Sequence, residues 1–197
     1  MRIANIFQSW AILRTGGLII VFTLAFTAMG SRPDPATIQW VSMQEAFEKN
    51  LKKPKKIMVD IYTVWCGPCR RMNSETFHHP YIVDYVNKHY YPVKFNAEGN
   101  DTVEYRGQVL INRSYNPERA STRNGTHDFT RAFAPVQGRV AYPTIAFFDE
   151  QNNLIQPVQG MIMPAGFEPI LAFFAEDAYK SVPWPDYQAA FKSKIQP

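Results

Sequence analysis

Val59-Asp60-Ile61-Tyr62-Thr63-Val64-Trp65-Cys66-Gly67-Pro68-Cys69-Arg70 is the stretch of this 197-residue chain on which its reading turns. It opens inside a compact apolar run, Ile57 to Tyr62, whose short β-branched character is that of a buried central strand. Asp60 is out of place in such a strand. On the far side, Arg70 to Phe77 reads as a helix. The two cysteines therefore stand between a strand and a helix, with Cys66 at the helix N-terminus. Unpaired backbone amides and the helix dipole there favour a thiolate over a thiol. Because the thiolate is the attacking species in disulfide exchange, this placement activates Cys66. Two intervening residues return Cys69 one helical turn later, within reach of a mixed disulfide formed at Cys66.

The segment from Val59 to Arg70 resembles the active-site segment of the thioredoxin superfamily. By that resemblance Cys66 is the attacking cysteine, Cys69 the buried resolving one, and Asp60 the carboxylate that exchanges a proton with Cys69. Trp65 then rims a substrate groove, and Gly67-Pro68 is similar to the reducing members. A second part of the pattern is Tyr142-Pro143-Thr144, directly before the apolar strand Thr144 to Phe148. The resemblance implies a cis bond at Pro143, packed against the cysteine pair so that the preceding backbone can pair with an extended substrate. Gly160 matches a glycine that the family carries beside this groove. The implied fold is α/β and thioredoxin-like: a central mixed β-sheet flanked by helices, with an insertion before the cis-proline strand. There are departures as well. Ser74 replaces a helix-kinking proline, and Tyr142 is bulkier than the usual aliphatic residue. The segment from Arg70 through the helix after Pro80 is more similar to thioredoxin-fold proteins of the periplasmic reductase type.

The remaining chain reads coherently around this centre. Thr37 to Val41 suggests a first strand. Ser42 and Glu45 form a capping box for a helix with Phe47 and Leu51 on its apolar face, ending near Asn50. Lys52, Lys53, Lys55 and Lys56 around Pro54 suggest a solvated basic turn. Pro80 opens a helix carrying Tyr81, Ile82, Tyr85, Val86 and His89, and Tyr91 to Asn96 reads as a strand. Between Ala97 and Ala141, Tyr105 to Ile111 suggests a short strand and Thr126 to Ala134 a helix capped by Thr126. This insertion, with His127 and its arginines, reads as a solvated surface hairpin in preference to a partner clamp. Leu154 to Val158 is a hairpin partner for the preceding strand across the Asp149 to Asn153 turn. A last helix from about Ala165 presents Phe167, Ile170, Leu171 and Phe174, and the tail packs Trp184 and Phe191 on the domain surface.

Composition narrows the function classes. Hydrophobic residues make up 46% and charged residues 19%, which places the chain among folded globular proteins with one domain as the default. The formal charge of +4 falls to +2 without the first thirty residues, since Arg2 and Arg14 leave 19 basic against 17 acidic side chains. That surplus argues against nucleic acid as a partner. Residues 1–30 read as a signal peptide: Arg2 and Arg14 precede the apolar run Leu18 to Met29, and small Ala28 and Gly30 precede Ser31. The run is short for a membrane helix, although an uncleaved anchor is the alternative. In either case residues 31–197, the thioredoxin-like domain, lie in the periplasm or otherwise outside the cytoplasm.

With two cysteines only, no disulfide framework is available, and the pair is free for chemistry. A closed zinc site needs more ligands than His78 and His79 supply. Covalent haem attachment needs a histidine where Arg70 stands. The expectation is an enzyme with no cofactor and no resident metal, a protein disulfide reductase. Its partners are protein disulfide substrates and, since no third cysteine delivers electrons internally, an external membrane thiol donor. A soft-metal carrier using both sulfurs for copper is the alternative.

Overall fold

The computed structural model describes residues 37–195, so the expected signal segment and the boundary at residue 31 lie outside the described residues. The elements in chain order are α1 (Met43–Lys52), β1 (Lys56–Tyr62), α2 (Gly67–Glu75), α3 (Pro80–His89), β2 (Tyr90–Asn96), β3 (Val103–Tyr105), β4 (Gln108–Leu110), α4 (Asp128–Phe133), β5 (Thr144–Phe148), β6 (Leu154–Gln159), α5 (Pro164–Ala175) and α6 (Trp184–Ala190).

Four strands form the main sheet in the order β2-β1-β5-β6. β1 runs parallel to β2 and antiparallel to β5, and β5 and β6 form the hairpin expected across the Asp149 turn. The sheet is therefore mixed, with the cysteine-bearing strand in its interior. Two-residue alternation divides the core into two faces. Ile57, Val59 and Ile61 of β1 join Phe95 and Phe148 under α1 and α4. Met58 joins Met72, Val83, Phe147 and Leu171 under α2, α3 and α5. Asp60 has the parity of Met58, so it points into the second layer, toward the helix that carries the cysteines.

Several expectations need correction. Thr37 to Val41 forms no strand: Val41 alone bridges to Val93, because only its N–H reaches a free carbonyl, that of Pro92, at 2.9 Å. Ser42 does cap α1 by accepting the Glu45 N–H at 3.1 Å, while the Glu45 carboxylate turns to Lys49 at 2.7 Å. Leu51, expected on the apolar face, is 83% exposed although it lies inside α1, whose buried face is formed by Met43, Ala46, Phe47 and Asn50. Lys56 leaves the basic turn and opens β1; its buried ammonium lies 2.7 Å from Glu150 and 2.8 Å from Asp177. Burial opposes its charge, but hydrogen bonds to Asp177 and Glu150 outweigh burial and raise its pKa.

The single strand expected from Tyr105 to Ile111 is instead the β3–β4 hairpin, turned at Arg106 and Gly107, which both adopt positive φ. His127, not Thr126, caps α4: its Nδ1 accepts the Phe129 N–H at 2.9 Å. The insertion is no solvated hairpin. Phe129 is fully buried against Phe95, Phe133 and Phe148, which ties α4 to the sheet. At the chain end Trp184 packs on Phe173 with ring centroids 5.2 Å apart, and Phe191 packs on Tyr187.

Candidate active site

β1 delivers the chain to a short loop, Thr63 to Trp65, and α2 begins immediately after Cys66. Pro68 suits the first turn because it lacks the N–H that would go unpaired there. Cys66 is the N-cap, and its Sγ accepts the backbone N–H of Cys69 at 3.1 Å. The two sulfurs are joined in a disulfide, with Cα atoms 5.3 Å apart. Exposure is 3% at Cys66 and 6% at Cys69, so only an edge of the bond is open to a partner. In the dithiol state the same N–H and the helix terminus are in place to stabilise a Cys66 thiolate. Ser74, at the position of the missing proline, donates its hydroxyl to the Arg71 carbonyl at 3.0 Å, and α2 runs on to Glu75.

Asp60 lies beneath Cys69. The two line one cavity of about 350 Å³, together with Tyr62, Thr63, Arg70, Asn73 and Lys94. Asp60 is 2% exposed, its Oδ1 has no partner, and its Oδ2 receives the Lys94 ammonium at 3.2 Å. Burial pushes the carboxyl up to about 6, against the opposing pull of Lys94. It is therefore not the unpaired acid that an apolar strand suggests, but a half-paired one. Sequence reasoning missed Lys94. The signal was present: Lys94 interrupts the strand after Pro92 and Val93, and parallel register places it opposite Asp60. Lys94 is held by Asn73 Oδ1 at 2.6 Å and faces the rings of Trp40, Tyr62 and Phe77.

The second flank of the disulfide is a groove of about 580 Å³ lined by Trp65, Cys66, Gly67, Pro68, Glu98, Arg123, Thr126 and Val140 to Tyr142. Trp65 and Tyr142 meet edge to face with centroids 5.9 Å apart. The phenol of Tyr142 is raised to about 12, first by burial and then by the charge of Glu98. The Tyr142–Pro143 bond is cis, as the resemblance implies. Pro143 itself is buried and does not line the groove. Thr144 is fully buried and donates its hydroxyl to the Ala141 carbonyl at 2.6 Å, so its side chain braces the turn and does not face the groove. Gly160 donates its N–H to the Pro143 carbonyl at 2.9 Å at a φ of +105°, a conformation that favours glycine. It supports the proline segment from behind.

The insertion supplies residues that sequence reasoning did not single out. Glu98 Oε2 accepts the Trp65 indole N–H and the Asn124 backbone N–H, both at 2.8 Å. Arg123 stacks its guanidinium 3.7 Å from the centre of the Trp65 ring. No spacing rule connects these positions to Trp65. His127, considered for a partner clamp, is fully buried: Nδ1 accepts the Phe129 N–H, so Nε2 carries the proton and donates to the Asp101 carbonyl at 2.7 Å. His78 and His79 form no cluster with the cysteines, and no group of three or more potential metal ligands occurs among the described residues.

Comparison with known proteins agrees with this geometry. The family model of the thioredoxin-like domain matches residues 43–175. No curated protein matches the sequence. Among solved structures, a DsbH oxidoreductase is 14% identical with a TM-score of 0.50, covering 76% of this chain and 92% of that one. A thioredoxin from Thermus thermophilus is 13% identical with a TM-score of 0.49, covering 80% and 99%. A putative disulphide-isomerase from Bacteroides thetaiotaomicron is 22% identical with a TM-score of 0.47, covering 74% and 98%. At 14% identity the likeness to the DsbH oxidoreductase is one of fold alone.

Proposed function

Because the chain belongs to the thioredoxin-like domain family, we propose that it is a thiol–disulfide oxidoreductase that works outside the cytoplasm as a reductase of protein disulfides. The observation that carries this reading is the cysteine pair at the start of α2, with Cys66 as N-cap and Cys69 sharing a cavity with the buried Asp60. In the reductive direction the Cys66 thiolate attacks one sulfur of a substrate disulfide. The second substrate sulfur leaves as a thiolate, and a mixed disulfide remains. Cys69 then loses its proton to the Asp60 carboxylate and attacks Cys66 Sγ. The bond between Cys66 and the substrate breaks, the first substrate sulfur also leaves as a thiolate, and both thiolates take protons from solvent, to which Asp60 returns its own through the cavity. The substrate is then a dithiol with two electrons gained, and the protein is left as the Cys66–Cys69 disulfide. An external membrane thiol donor restores the dithiol.

Gly67-Pro68 and Asp60 resemble the reducing members, which supports reduction as the direction; the net direction follows the potential of the Cys66–Cys69 couple against that of its compartment. Export rests on residues 1–30. Among the described residues no helix is long and apolar enough to cross a membrane. The test is a pair of variants. Cys66→Ser abolishes reduction of insulin disulfides, whereas Cys69→Ser accumulates mixed disulfides with substrate proteins, read on non-reducing gels. Equal trapping by both variants overturns the assignment of roles.

A further inference from the structure

Arg123 has no counterpart in the chemistry just described, yet the chain builds a scaffold to hold it over the site. The strap that carries it is pinned at several points. Asn124 exchanges hydrogen bonds with Asn116, its Oδ1 accepting the Asn116 N–H at 2.8 Å and its Nδ2 donating to the Asn116 carbonyl at 2.7 Å. Asn112 Nδ2 donates to the carbonyls of Gly99 at 3.0 Å and Gly125 at 2.6 Å. The strap crosses itself so closely that a Cβ at Gly125 would lie 2.6 Å from Ser114 atoms. Glu98 then ties the strap to Trp65 through one carboxylate oxygen.

The electrostatics single out Arg123 among these groups. Its side chain is exposed, and no carboxylate among the described residues lies within 4.0 Å of it. Stacking on the indole occupies the flat face of the guanidinium and leaves its N–H edges free. An edge held in this way is matched to a carboxylate, which it takes by two parallel hydrogen bonds. Glu98, the one acid lining the groove, is only 8% exposed, and its Oε2 already accepts two N–H groups. Arg131 adds a second cation nearby: its Nε donates to the carbonyl of Thr126, a residue of the groove lining, at 3.3 Å.

We propose that Arg123 is a specificity-determining residue, which selects protein segments bearing an acidic residue next to the cystine that Cys66 attacks. The proposal rests on the oxidoreductase reading for its substrate class, and its test separates the two. The probes are three peptides, each closed by one disulfide and flanked by glutamate, glutamine or lysine at the same positions. Binding is first followed by NMR at the Trp65 indole N–H in the full chain carrying Cys66→Ser and Cys69→Ser, where no exchange occurs. The glutamate peptide should bind about 5–10-fold more tightly than the lysine peptide at low salt, with a smaller ratio at high salt. Adding Arg123→Gln should bring the ratio near one, and Arg123→Glu should reverse it. Equal affinities, no binding of any peptide, or a ratio unchanged by Arg123→Gln overturns the proposal. Turnover of the same peptides by the unmodified chain is measured separately. A charge preference in binding without disulfide exchange leaves the role of Arg123 standing and refutes the redox reading; exchange without preference does the opposite.

Discussion

Replacing Asp60 by asparagine should stabilise the protein at neutral pH while slowing its chemistry. The carboxyl titrates near 6 in the folded protein against 3.8 for the ordinary group. The folded state therefore holds the proton more tightly than the unfolded state. Asp60 contributes relative stability that is fully present below about pH 4 and is lost as pH rises through 6. At about 1.4 kcal/mol for each pH unit of difference, the loss approaches 3 kcal/mol by pH 7.5. That value already includes the attraction of Lys94, which lowers the Asp60 pKa. Lys94 in the variant keeps Asn73 at 2.6 Å and partial contact with water, so it is not left unpaired. The substituted amide has no charge to desolvate, and the difference in stability between variant and parent should grow by about 3 kcal/mol from pH 4 to pH 7.5. For a domain of this size that corresponds to a melting temperature roughly 6–12 °C higher at pH 7.5, and near parity at pH 4. The assay is thermal unfolding of the oxidised chains across this pH range, with single-turnover kinetics of the dithiol form alongside. Attack by Cys66 should change little, and resolution by Cys69 should slow near neutral pH. A melting difference that does not vary with pH, or a loss of stability at pH 7.5 with resolution unchanged, refutes the reasoning and makes Asp60 a structural residue.

Other perturbations test neighbouring steps. Lys94→Gln removes the cation that holds the Asp60 carboxyl down, so the Asp60 titration followed by carbonyl NMR, and with it the pH dependence of resolution, should move to higher pH; an unmoved titration contradicts the pairing. Phe129→Ala empties a fully buried site between the insertion and the sheet and should cost about 3–5 kcal/mol in urea unfolding, while a loss below about 1 kcal/mol would mean that α4 is not tied to the core. Export predicts that the protein recovered from its native host begins near Ser31 and lies outside the cytoplasm, as mass spectrometry of fractionated cells can check; an intact Met1 end in a soluble cytosolic fraction contradicts it.

What was legible in the sequence is what covalent neighbours decide. A strand reveals itself by apolar alternation, a helix start by Ser42 or by Gly67-Pro68, and a cysteine pair by its spacing across one turn. Those short-range rules were enough to seat Cys66 at the head of α2, to place β1 inside the sheet and to mark Asp60 as an acid in an apolar strand. They were not enough to find its partner. Lys94 follows Asp60 by 34 positions and meets it only through the parallel register of β1 and β2. Lys56 shows the same limit: beside Lys55 it looks solvated, yet it is buried between Glu150 and Asp177. The groove wall is the strongest case, because Glu98 and Arg123 reach Trp65 only after the insertion has folded back on itself and been anchored by Phe129. Charge, hydrogen bonding and stacking act through space over a few ångströms, whereas the chain sets only the order in which their partners occur. The chemistry of the cysteine pair was therefore decided by local sequence, and its acid–base setting and the shape of its groove by the tertiary fold.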